Sequence, residues 1–141
     1  MALLAATPAV AGPLDGRWSN VCLSRQTGDQ GGMQLVLTSS GTAAAVGLKV
    51  CEGGCWAMPT RNVVLRKDRI AFTAEDRSYD AEGRLAESRD LRFEGQFAGA
   101  TLKLSSAGFW EAQTLKRQRS DPAGAAAETL EDWPGPTRVC R

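Results

Sequence analysis

The feature that most constrains this chain is its punctuation. Short stretches of alternating apolar and polar residues are broken about every ten residues by Gly, Asp or Ser turns. Residues 17–23 (RWSNVCL) place Trp18, Asn20 and Cys22 on one face of a strand and Ser19, Val21 and Leu23 on the other. Residues 26–32 form a polar, Gly-rich turn, followed by a strand at 33–38 and a small-residue arm at 42–50. Residues 51–59 read as a loop. Two further strands, 62–66 and 69–74, flank Lys67-Asp68 as a hairpin. Strand patterns then recur at 78–85, 90–94, 101–105 and 109–117, with Gly83 and Gly99-Ala100 as turns. No long amphipathic helix interrupts them.

This pattern predicts an all-β fold, an antiparallel up-and-down meander of about eight strands that closes into a small barrel. A two-sheet sandwich is the alternative. From residue 120 onward β-formers are scarce. The pattern there allows one helical turn at 125–131 within an irregular C-terminal tail. The expected organisation is a signal-peptide remnant at 1–11, a barrel domain at 12–119 and a tail at 120–141 tied down by a disulfide.

With 141 residues the chain carries one domain's worth of core. Its 17 basic and 16 acidic residues give a net charge of +1, which argues against a dedicated nucleic-acid partner. No run of 18 apolar residues is present, so no helical membrane span is expected. There is no histidine, which removes imidazole bases, His-containing triads and His-ligated metals from consideration. No cofactor motif is legible and no metal site is expected.

Residues 2–11 are small and apolar and end in Ala9-Val10-Ala11, an A-x-A pattern for cleavage before Gly12. Four cysteines, Cys22, Cys51, Cys55 and Cys140, agree with export and point to two disulfides in a periplasmic or secreted protein. Three pairings are open. The glycines of Cys51-Glu52-Gly53-Gly54-Cys55 favour a local loop, which leaves Cys22 for Cys140. The C-x3-C spacing also falls within the zinc range, but a four-cysteine zinc site needs two close pairs and only one exists.

Gly16-Arg17-Trp18 at the start of the first strand resembles the G-x-W signature of lipocalin-like, calycin-type barrels. The resemblance covers about residues 16–119 and implies that Trp18 closes the barrel floor. It also implies that an arginine near the last strand, Arg117 or Arg119, stacks across the Trp18 ring. Residues 94–102 (EGQFAGATL) look like the strand–Gly–strand pattern of small bacterial barrels of this type. Residues 79–85 (YDAEGRL) are similar to one YD repeat of the toxin-shell proteins. A single copy reads as a shared hairpin solution. Exported inhibitors of lysozymes and metalloproteases are also small disulfide-tied barrels.

Catalytic chemistry has little to work with. The carboxylates Glu75, Asp76, Asp80, Glu82, Glu87, Asp90, Glu94 and Glu111 fall in turns or alternate with apolar residues, as on a solvated face. Trp56 stands apart because it follows Cys55 in a Gly-containing loop, with Met58 and Arg61 nearby. A rigid loop presenting Trp, Met and Arg suits a contact surface. A bland role for Trp56 as a lid on the core weighs equally. The 13 arginines against 4 lysines fit a compositional bias. Arg66, Arg69, Arg89 and Arg92 form a potential basic face that nearby acids largely cancel. The expected function is a non-enzymatic exported barrel that binds a small apolar ligand or a protein partner, through Trp56, Met58 and Arg61 in the partner case. The alternative is an inhibitor of a secreted hydrolase.

Overall fold

The structure is a computed structural model that describes residues 12–108, 110–118 and 138–140. The expected signal remnant at 1–11, the helical turn at 125–131, and Phe109, Arg119 and Trp133 lie outside the described residues.

The described chain is all β. Its strands are β1 (Gly16–Ser19), β2 (Cys22–Leu23), β3 (Gln30–Ser40), β4 (Ala43–Met58), β5 (Thr60–Arg66), β6 (Arg69–Tyr79), β7 (Leu85–Ala98), β8 (Thr101–Ser106) and β9 (Trp110–Arg117). They form one antiparallel sheet in the order β2-β3-β1-β9-β8-β7-β6-β5, with β4 on the other edge of β3. The 17–23 strand divides in two at Asn20. There the Asn20 Oδ1 accepts the Met33 N–H at 2.7 Å, and its Nδ2 donates to Gln113 Oε1 at 2.9 Å. The 51–59 segment belongs to β4 up to Met58, but its pairing with β3 ends at Gly53, whose φ of 84 turns the chain so that the Cys51 and Cys55 Cα atoms stand 4.1 Å apart.

Alternation decides the core. Met33, Leu35 and Leu37 of β3, Val46, Leu48 and Val50 of β4, Ile70 and Phe72 of β6, Phe93 and Phe97 of β7 and Leu102 and Leu104 of β8 join one buried cluster around Trp18. Each such side chain contributes about 1.5–3 kcal/mol on leaving water. Phe72 and Phe93 are register partners and stack at 5.3 Å. Gly95 occupies an inward position that leaves no room for more. A Cβ there would stand 2.9 Å from Leu102 Cδ1 and 3.0 Å from Ile70 Cγ2.

The shared cluster brings the two ends of the sheet, β4 and β5–β6, onto one core, so the sheet curls. Among the described residues no ladder joins β4 to β5, and the sheet is not closed into a barrel. The Thr60 hydroxyl donates to the Val46 carbonyl across this seam. A bulge between Arg61 and Val64, with Asn62 at φ 55, bends β5 where a ladder to β4 would run.

The lower end is a built floor. The Trp18 Nε1 donates to the Leu14 carbonyl at 3.1 Å. Arg117 lies over the Trp18 ring at 5.3 Å and donates to the Asp15 carbonyl at 2.7 Å. The Asp15 carboxylate accepts from Gly12 N, Ser39 N and Ser39 Oγ. The upper end is tied by two disulfides, Cys22–Cys140 and Cys51–Cys55. Beside the first, Leu23 N–H donates to Arg138 O and Cys140 N–H to Leu23 O, a parallel bridge to the returning chain.

Candidate functional site

The upper end presents the disulfide corner of β4 and a long β6–β7 hairpin. Cys51 is buried under the corner, while Glu52, Gly53 and Gly54 are exposed. Trp56 follows at 37% exposure. The residues grouped with it by sequence differ from it in burial and pairing. Met58, 3% exposed, belongs to the core cluster. Arg61, the second residue of β5, forms an ion pair with Asp90 of β7.

The hairpin was legible as separate short strands, not as an arm. β6 and β7 stay paired from Arg69↔Gln96 to Tyr79↔Leu85. The last apolar inward pair is Ala74↔Leu91. One step further, that face carries the Asp76–Arg89 ion pair at 3.3 Å. On the opposite face, Arg77 donates to Glu75 at 2.9 Å and Ser88 to Glu75 at 2.6 Å. From residue 81 through residue 90 every residue is exposed, so no core supports this stretch. A two-stranded ribbon without a core is marginal in water. Its ion pairs and its turn chemistry hold it instead.

The tip is fixed by Asp80. Its Oδ1 accepts from Glu82 N and Arg84 N, and its Oδ2 accepts from Arg84 Nε at 3.2 Å. Asp80 N–H donates to the Arg84 carbonyl, and Gly83 N–H to the Asp80 carbonyl. This is an Asx-type turn that positions both strand ends. Tyr79 and Leu85, 59% and 54% exposed, sit opposite each other at its neck. The Tyr79–Leu85 sequence pattern signalled the hairpin, but nothing in it signalled how far the arm stands off the core.

The electrostatics of the arm are those of a scaffold. The Arg77 guanidinium and the Ser88 hydroxyl hold the Glu75 carboxyl down to about 2, so it stays ionised through the neutral range. A general acid needs its pKa pushed the other way. Asp76, Asp80 and Asp90 are each matched to an arginine. Among the described residues no group of three or more Cys, Asp or Glu side chains gathers to hold a metal, and all four cysteine sulfurs are in disulfides.

A hollow lies at the lower end of the β4–β5 seam. It measures about 300 Å³ and is walled by Leu14, Ala43, Ala44 and Leu65, with Ser39 and Lys67 at its polar side. The alanines of β4 leave this space, as small residues on the 42–50 arm allow. Comparison with family models, with curated proteins and with solved structures finds no match for this chain.

Proposed function

We propose that this chain is a non-enzymatic, exported β-protein whose upper rim binds a protein partner. The observation that carries the reading is the arm. A rigid Asp80 turn holds an aromatic and an aliphatic side chain in water, where neither contributes to the core. Exposed Tyr and Trp on rigid supports are the residue types that anchor interfaces. Trp56, on the disulfide corner at the same end, extends the surface. In this reading the curled sheet serves as a small lipocalin-like barrel, with Trp18 and Arg117 as its floor. The two disulfides and the expected cleavage at Ala11 support a periplasmic or secreted setting.

A secreted hydrolase is the partner class that this surface suits best. A protruding hairpin can enter a cleft, and the paired charges along it resist unfolding on the way in. A small apolar ligand is the second reading, favoured by the seam hollow, whose volume sits at the low end for ligand pockets.

The test is inhibition of a panel of secreted lysozymes and proteases at micromolar protein, with Tyr79→Ser, Leu85→Ser and Trp56→Ser as variants. Loss of inhibition on either arm substitution, with the melting temperature unchanged, supports the reading. No inhibition by the parent protein, together with a mass-shifted native species that loses a small molecule on denaturation, moves the function to the seam hollow.

A further inference from the structure

We propose that the outer face of β5–β8 is a separate binding site for a linear anionic polysaccharide. The register places Arg66 opposite Arg69, Arg69 opposite Gln96 and Gln96 opposite Lys103, one lateral row across four strands. All four side chains are exposed. Neighbouring strands stand about 4.8 Å apart, so the row is a ladder of cationic and polar groups at near-regular spacing. Like charges directly opposite each other in a sheet destabilise it. The Arg66–Arg69 pair carries that cost with no carboxylate against it.

The contrast with the arm makes this a segregated feature. Arg61, Arg77, Arg84, Arg89 and Arg92 each meet an Asp or Glu within ion-pair distance. Among the described residues, Arg66, Arg69 and Lys103 meet none. The acids on this face are Asp68 at the hairpin turn, Glu94, whose Oε1 stands 3.8 Å from Arg92 Nε, and, further toward the arm, Glu75 and Asp90, which are paired with Arg77 and Arg61.

The row also borders concave surface. A hollow of about 250 Å³ lies between Val64, Arg66, Arg69, Ala71 and Glu94, and a second of about 240 Å³ continues past Gln96 to Lys103 and Ser105. The two share Arg69 and Glu94 and form one shallow channel across the strands. Its floor is small and aliphatic, at Val64 and Ala71. Guanidinium forks at one end take carboxylate or sulfate groups in two-point contacts. Lys103, two strands away, takes a second charge. Gln96 and Ser105 offer neutral hydrogen bonds between them, as a chain rich in hydroxyls requires. Single-stranded nucleic acid needs aromatic faces on which bases stack, and this channel has none.

The experiment is calorimetric titration with a size-fractionated alginate oligomer and a heparin oligomer. The variants are R66Q/R69Q, K103Q and, as an equal charge change on the arm, R84Q/R89Q. The parent protein is expected to bind at least one glycan, more weakly as salt rises. R66Q/R69Q is expected to weaken binding at least about tenfold, since two charge-assisted contacts are lost, and K103Q less. R84Q/R89Q is expected to stay within about twofold of the parent. The melting temperature of R66Q/R69Q should not fall, because both side chains point into water and repel each other. Absence of binding by the parent overturns the proposal. So does an equal loss in R84Q/R89Q, which makes the effect one of net charge. A single-stranded oligonucleotide bound as tightly as the glycans overturns the assignment to polysaccharide.

Discussion

The two disulfides close loops of very different length, and their unequal contributions to stability can be worked out from that. Cys22–Cys140 closes a loop of sequence separation 118, and Cys51–Cys55 one of 4. If each acts by restricting the unfolded chain, the loop-closure relation gives about 5 kcal/mol for the long bridge and about 2 kcal/mol for the short one. Alanine at the buried Cys51 adds a packing loss of about 1 kcal/mol, while Cys22 is only half-buried. The C22A/C140A variant should therefore be less stable than C51A/C55A by about 2 kcal/mol. Relative to the parent, it should melt roughly 10–20 °C lower. Equilibrium unfolding in guanidinium chloride measures both. The denaturant slope should rise in C22A/C140A, because the freed unfolded chain exposes more surface. Equal losses from the two variants, or a larger loss from C51A/C55A, would refute loop closure as the source. The long bridge would then be incidental to a terminus already held by the Leu23 hydrogen bonds.

Three further outcomes follow from the packing and charge of the described chain. Gly95→Ala should cost about 1–3 kcal/mol in a denaturant midpoint, because the new methyl meets Leu102 and Ile70 on opposite sides. Gln34 is fully buried and neither amide atom has a partner, so Gln34→Met should raise stability by about 1–2 kcal/mol; a loss in the same assay sinks that account. The Glu75 carboxyl is lowered from 4.5 to about 2, so its stabilisation of the arm is complete above pH 4.5 and fades as pH falls toward 2. Amide exchange at residues 76–89 should quicken over that window, and Glu75→Gln should remove the dependence.

The core was legible because its rule is local. Ile70, Phe72 and Ala74, and likewise Met33, Leu35 and Leu37, recur at every second residue, and that period puts each set on one face even though Ala71 and Val36 between them are also apolar. Closure is not a local property. It depends on whether β5 meets β4 after Pro59, and the bulge at Asn62 that turns β5 aside has no signature in a run of ordinary strand residues. The same limit governs length. Residues 75–79 and 85–90 extend a strand pair beyond its core, and only the three-dimensional end of the core shows that this stretch is an arm. Met58 illustrates the reverse error. Two residues from Trp56 it shares that residue's face of the strand, yet it is 3% exposed against 37% for Trp56, because the edge of the core falls between them.

Charge shows most clearly what a linear reading averages away. A net charge of +1 reads as neutrality, and acids near Arg66, Arg69, Arg89 and Arg92 in sequence read as cancellation. In the fold, Arg89 and Arg92 are matched by Asp76 and Glu94, while Arg66 and Arg69 face each other across a hairpin. The carboxylates are concentrated on the arm, where Glu75, Asp76, Asp80, Glu82, Glu87 and Asp90 lie within one hairpin. A small neutral protein thus carries an acid-rich upper hairpin and a basic outer channel, separated by the length of β6 and β7. Potentials set by such segregation steer partners of opposite sign to different faces, which a uniform +1 surface cannot do. Two binding surfaces on one small sheet are therefore compatible. Engagement of the rim and of the channel should respond independently to Tyr79→Ser and to R66Q/R69Q.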